Sequence, residues 1–165
     1  MDLALGAHPW FLDEQARAPS PEELEGCLAL GEIGLDKPHA RKHGGWERQL
    51  RLFREQLELA VDLGLPVVLH AVKAHGPMLE ELERHERVEG WLHSFMGPAE
   101  LVPRYTRLGL KLGFSPAVMR PGVRRALEAI RVCPEEHLAL ESDAPDAGLP
   151  EQLPELAAFI RRLRA

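Results

Sequence analysis

Four residues of the sequence combine type and position in a way that suits metal chemistry: Glu32, His70, His93 and Asp143. Each stands where a short apolar run is ending: Glu32 in LALGEIGLD (28–36), His70 in LPVVLH (65–70), His93 in GWLHSF (90–95) and Asp143 in HLALESD (137–143). Two imidazoles and two carboxylates fit zinc, manganese, magnesium or a similar divalent ion, and three protein ligands with an open water position describe a catalytic site. Alone, either histidine would be an ordinary loop hydrogen-bonder, and either carboxylate a helix N-cap or surface group. Four such residues at the ends of separate strands are hard to obtain by chance.

Those residues need strands to carry them and helices to space them. Strands are predicted at LALGA (3–7), CLALGEI (27–33), LPVVLH (65–70), GWLHSF (90–95), GLKLGFS (109–115) and HLALESD (137–143). Between them, Trp46, Leu50, Phe53, Leu57, Ala60 and Val61 recur at helical spacing, with Gly64 at the stop position. Further helices are predicted over 77–85, 98–108, 121–132 and 150–164, with Leu153, Leu156, Ile160 and Leu163 on one stripe of the last. Pro103 and Pro154 predict a late start or a kink in their helices. KPHARKHGG (37–45) reads as a long basic loop over a face of the sheet. Strand alternating with helix specifies an α/β fold with a parallel sheet, and near-continuous apolar strands specify burial on both faces. In a (β/α) barrel of the TIM type, active-site groups lie at the carboxyl ends of the strands. The separations 32 to 70, 70 to 93 and 93 to 143 fit one, one and two βα units, which allows all four groups to converge.

At 165 residues, 45% hydrophobic and 28% charged, the chain has the composition of one soluble globular domain. No apolar run reaches the ~20 residues of a membrane span, and MDLALGAHPW lacks a basic flank, so a cytoplasmic protein without a membrane partner is expected. Cys27 and Cys133 belong to no C-x-x-C pair and are expected to be buried thiols. The net charge of −6 supplies no overall basic footprint for nucleic acid.

The motifs ALGAHPW (4–10), GEIGLD (31–36), RQLRLFREQLELA (48–60), LPVVLHAVKA (65–74), LHSFMG (92–97) and LALESDAP (138–145) occur in the order and spacing of a known family. The chain resembles the TatD-related metal-dependent deoxyribonucleases, within the amidohydrolase-like barrels. The resemblance implies that Glu32, His70, His93 and Asp143 are divalent-metal ligands. His8 falls on the histidine of the family's G-x-H-P motif, near the substrate; ordering the turn before Pro9 is the alternative. Where the family often has H-x-R-x-A, this chain reads HAVKA, with Val72 at the arginine position. Lys73 is placed to offer a point charge to a phosphate, and a solvated lysine is the simpler reading.

Two departures from the family pattern carry expectations. Family members begin with a strand bearing an H-x-H pair and a further βα unit, for which this chain has no counterpart, and its end after ESDAPD is also short. Residues 1–165 are therefore expected to form a single, incomplete barrel domain of about six parallel strands, truncated at the N-terminus and short at the C-terminus. An open sheet leaves edges that association into a homo-oligomer would cover. Without the H-x-H pair, Glu32, His70 and His93 still make a three-ligand site, with one ion firmly bound and a second weak or absent. Asp143 is then available as the general base that accepts a proton from water.

Three classes of function follow. One is a TatD-like hydrolase of phosphodiesters in DNA by metal-activated water. A second is a metallohydrolase of a small phosphoester, amide or lactone. The third is a degenerate barrel that binds metal without turnover.

Overall fold

The strand Ala29–Asp36 (β2) is buried along its whole length except at Glu32, and the surrounding elements form on its two edges. The computed structural model describes residues 4–13, 15–85, 88–143 and 152–165. Its backbone falls into two compact units, Met1–Trp91 and Leu92–Ala165.

In the first unit, Ala4–Leu5 (β1) and Val67–Val72 (β3) lie parallel to β2 on opposite edges. Leu30, Ile33, Leu35, Val67 and Leu69 are fully enclosed, as a parallel sheet covered on both faces requires. The N–H of Val67 donates to the carbonyl of Glu89 at 2.8 Å, just before Gly90–Leu92 (β4) carries the chain into the second unit.

Residues 37–45 were expected to be a loop, but Lys37–His43 forms a helix (α1). Asp36 is its N-cap, accepting from the N–H of His39 at 2.7 Å, and Pro38 fits the first turn, where no N–H partner is needed. Arg41, Lys42 and His43 occupy the last turn, the favourable end for cations. The following helix, Trp46–Leu63 (α2), ends on left-handed Gly64 as its sequence predicts. Its buried stripe differs from the expected one. Val61 is exposed, whereas Gln49 and Gln56 are buried beside Leu52, Phe53, Leu57 and Ala60.

The two amides are buried because each completes backbone hydrogen bonds. Gln56 Oε1 accepts from the N–H of Ala7 at 2.6 Å and its Nε2 donates to the Ala7 carbonyl at 3.3 Å. Gln49 Nε2 donates to the Pro9 carbonyl at 3.1 Å, and its Oε1 accepts from the N–H of Asp36 at 2.9 Å. One helix face thus clamps the backbone on both sides of His8. Helix His75–Leu82 (α3) is tied to α2 by Glu81, which is buried between Arg54 at 2.7 Å and Arg84 at 3.0 Å.

In the second unit, Lys111–Phe114 (β5) pairs in parallel with Leu138–Leu140 (β6). Phe95 meets Tyr105 and Phe114 edge to face, each at 6.0 Å between ring centres. A short 3-10 turn precedes Val102–Arg107 (α4), so the late start expected at Pro103 is present. Arg124–Val132 (α5) buries Ala126, Ala129 and Ile130, and Gln152–Arg164 (α6) buries Leu156 and Ile160. Pro154 lies in the first turn of α6, where proline needs no kink. Arg164 caps the end of α5 by donating to the Cys133 carbonyl at 2.8 Å. Cys133 is buried as expected, and burial pushes its thiol up to about 11; Cys27 is only half-buried.

The Glu81 carboxyl is held below its ordinary range first by the Arg54 hydrogen bond, against the opposing effect of burial. A carboxyl depressed by folding stabilises the native state above its unfolded pKa, and that contribution is lost as pH falls through the folded value. Glu81→Gln should therefore lower the unfolding free energy by about 1–3 kcal/mol at pH 7. Below the ordinary carboxyl value of 4.5 the difference from the parent protein should shrink, as measured by urea denaturation at several pH values.

Candidate metal centre

Glu32 does not end its strand, as expected from its flanking glycines, but lies in the middle of β2, which continues to Asp36. The glycines answer a different requirement. A Cβ on Gly31 would meet Val68 Cβ at 2.5 Å, and one on Gly34 would collide with the carbonyl oxygen of His70, its register partner on β3. Gly34 also has φ of 147°, which L side chains rarely adopt. Between the glycines the β2–β3 register slips at Gly31/Ile33. Such an irregularity re-aims a side chain, and Glu32 is the half-buried residue of the otherwise buried strand.

Glu32, His70 and His8 come together in the first unit, with one ligand-capable atom from each within 4.8 Å of the others. Glu32 Oε2 lies 3.5 Å from His8 Nε2 and 3.6 Å from His70 Nδ1. Two ligands bound at 2.0–2.2 Å to one tetrahedral ion stand about 3.3–3.6 Å apart, so the separation of Glu32 and His70 matches a metal site.

The state of each imidazole follows from its second nitrogen. His70 Nε2 lies 3.1 Å from Asp36 Oδ2. An ionised carboxylate only accepts, so Nε2 carries a hydrogen and Nδ1 is the nitrogen that faces Glu32. With Asp36 as its second partner, Nδ1 is the nitrogen placed to ligate a cation beside Glu32. His8 is set differently: its Nδ1 accepts from the N–H of Trp10 at 3.1 Å, so the neutral ring carries hydrogen on Nε2 and presents a donor.

Asp36 is buried, and it also accepts from Trp10 Nε1 at 2.7 Å. Burial is the largest single influence on its carboxyl and acts to raise the pKa. The combined hydrogen bonds of Trp10, His39 and His70, with the charge of His70, outweigh it and hold the group below its ordinary value.

The second unit brings His93 and Asp143 together. His93 Nε2 is 3.1 Å from Asp143 Oδ1, and its Nδ1 is 3.0 Å from Glu141 Oε2. Glu141 also accepts from the backbone N–H of Ser94, and Gly113 leaves the space that its carboxylate fills. Ser94 Oγ donates to Asp143 Oδ2 at 3.2 Å. With Nδ1–H directed to Glu141, Nε2 is the ligand nitrogen beside Asp143.

Asp36 and Glu141 are the carboxylates against the candidate histidines that sequence reasoning missed. Both stand inside quoted motifs, GEIGLD and LALESDAP, but they act on a histidine tautomer, for which spacing carries no signal. Lys73 follows β3 directly, is exposed, and has φ of 51°. The other non-glycine residues with positive φ among those described are Ser94 at 44° and Asp143 at 50°. All three lie in or beside the predicted site residues, where backbone strain is commonly held.

Asp36→Asn keeps the shape of the buried group but weakens the acceptor that fixes His70. Metal affinity should fall about 10- to 100-fold, measured by competition with a chromogenic chelator, with circular dichroism unchanged. An unaltered affinity would show that Asp36 does not govern the His70 tautomer.

The family model for TatD-related DNases matches residues 2–161. A metal-dependent hydrolase of Escherichia coli, YjjV, is 34% identical over 98% of this chain and 68% of its own length. A 3'-5' ssDNA/RNA exonuclease TatD of Musicola paradisiaca is 34% identical over 72% of this chain and 45% of its own. This chain thus spans between about half and two thirds of those relatives. The crystal structure of the Escherichia coli YjjV protein, a TatD homologue, superposes with a TM-score of 0.78 at 32% identity, over 97% of this chain and 68% of that one. With its alternating helices and parallel strands, the chain belongs to the TatD-related DNase family of metal-dependent hydrolases and has that family's α/β barrel type of fold.

Proposed function

We propose that the protein hydrolyses phosphodiester bonds of nucleic acid with the help of a bound divalent ion. The observation that carries this reading is the placing of His70, whose Nδ1 lies 3.6 Å from Glu32 Oε2 while its Nε2 lies 3.1 Å from Asp36 Oδ2. The name of the Musicola relative, an exonuclease on single-stranded DNA and RNA, supports a nucleic-acid substrate.

In this reading Glu32, His70 and His93 are the ligands of one firmly held ion, and a second ion is weak or absent. When bound there, a divalent ion would supply Lewis acidity toward water and a phosphoryl oxygen. Asp143 is the general base that takes the water's proton. Ser94 Oγ, donating to Asp143 Oδ2 at 3.2 Å, orients that carboxylate so that its other oxygen is presented. His8, with hydrogen on Nε2, donates to a non-bridging phosphate oxygen, and Lys73 supplies a positive charge to the substrate. No described helix is long and apolar enough to cross a membrane. We place the protein in the cytoplasm, as a homo-oligomer.

Two substitutions separate ligand from base. Glu32→Gln should reduce metal content after dialysis to well under half that of the parent, measured by elemental analysis. Asp143→Asn should keep most of the ion and lose about 10²- to 10⁴-fold of the hydrolysis of a single-stranded oligonucleotide. Full metal content in Glu32→Gln would overturn the ligand assignment. An ion lost in Asp143→Asn but retained in Glu32→Gln would do the same.

A further inference from the structure

Helix α1 presents two different surfaces that the hydrolytic chemistry leaves unused. On one side Lys37, Pro38, Arg41 and Lys42 line a concavity of about 400 Å³ together with Lys73. Its four cations are exposed, and among the described residues no carboxylate pairs with any of them. Arg17, Arg51, Arg54, Arg84 and Arg124, by contrast, each have a glutamate partner. Four unneutralised cations around one concavity repel each other and make a site for an anion. The net charge of −6 does not cancel them, because screening confines each charge to about 8 Å at physiological salt.

On its other side α1 contributes His39 and His43 to a concavity of about 480 Å³, shared with Trp10, Phe11 and Gln49, in which Asp13 is the one acid among the described lining residues. Trp10 is 50% and Phe11 76% exposed, values unusual for such large rings. Trp10 lies nearly parallel to His39, with 15° between the rings at 6.1 Å, and Phe11 is 5.6 Å from His8. The buried Gln49, hydrogen-bonded to the Pro9 carbonyl, fixes the backbone from which both exposed rings project.

A basic groove beside exposed aromatic rings is the surface that binds a single nucleic-acid strand: phosphates meet the cations and unpaired bases stack on the rings. A small phosphoester would need only the first of these surfaces, and a duplex keeps its bases stacked on one another. Both surfaces adjoin the metal-compatible group. Lys37 follows Asp36, and Lys73 lies three residues beyond His70, no more than about 11 Å along an extended chain.

We propose that α1 and residues 9–12 form a subsite for a single-stranded polynucleotide, with its phosphates on Lys37, Arg41, Lys42 and Lys73 and its bases against Trp10 and Phe11. The subsite rests on the reading of the neighbouring group as a phosphodiester-hydrolysing centre. It gives an acidic protein a local grip on the strand that flanks the scissile bond.

The test is equilibrium binding of a fluorescent single-stranded DNA 12-mer to the full chain in EDTA, over a series of salt concentrations, so that binding is read without cleavage. The combined Lys37→Gln, Arg41→Gln, Lys42→Gln variant should bind more weakly, and its plot of log K against log salt should be shallower by about 2, from three lost phosphate contacts. Phe11→Ala should leave the slope unchanged and weaken binding about tenfold. An abasic 12-mer, which offers phosphates without bases, should be insensitive to Phe11→Ala yet respond to the triple variant. An unchanged slope in the triple variant, or equal weakening of both oligomers by Phe11→Ala, would overturn the subsite. If the parent also cleaves DNA, the proposed function stands without it. Binding with the expected signatures in a parent that cleaves no phosphodiester would sustain the subsite and overturn the proposed catalysis.

Discussion

The 3.1 Å hydrogen bond between Asp36 and His70 is the interaction on which the first unit's chemistry depends. It decides which imidazole nitrogen is available, and the fold is arranged to hold it. Asp36 ends β2, starts α1 as its N-cap, accepts from the Trp10 indole and gives its own N–H to Gln49 of α2. One buried carboxylate therefore joins two helices, two strands and the segment that bears His8. That density of donors around the carboxylate explains why the group stays ionised although burial opposes it. A carboxyl that took up a proton would lose acceptor capacity needed by three donors at once.

The second unit solves the same problem with different parts. His93 lies between Glu141 and Asp143, as His70 lies between Asp36 and Glu32. In each case one carboxylate lies against one ring nitrogen and the second carboxylate against the other. An imidazole flanked in this way, with one nitrogen oriented by a carboxylate, is a donor arrangement that suits a divalent cation.

Much of this was legible in the sequence, and the rest was hidden for identifiable reasons. His70 and His93 were readable because an apolar run that stops at a polar, ligand-capable side chain is a local signal. The alternation of strands and helices was readable for the same reason. Helix α1 was not, since only Ala40 of its residues is buried and no apolar period marks it. Its start signal, Asp36, had already been read as the end of the strand motif. Gln49 and Gln56 were invisible because their partners, residues 7–9 and Asp36, are remote in the chain. Glu32 was singled out because it stands between two glycines at what reads as a strand end. The glycines beside it reflect the close approach of β3, which no single-strand pattern records.

The position of strain completes the picture. Lys73, Ser94 and Asp143 hold left-handed backbone conformations that cost of order 1 kcal/mol or more each for residues with a Cβ. A glycine at any of them would relieve that cost, and the sequence places glycine freely where only geometry matters, as at Gly64 and Gly122. At these three positions it retains a cation, a hydroxyl and a carboxylate. Ser94 shows how such a conformation is held, with its N–H on Glu141 and its hydroxyl between Ser115 and Asp143. Each of these conformations falls at or beside a residue proposed for the site, the kind of place where such backbone strain is commonly held.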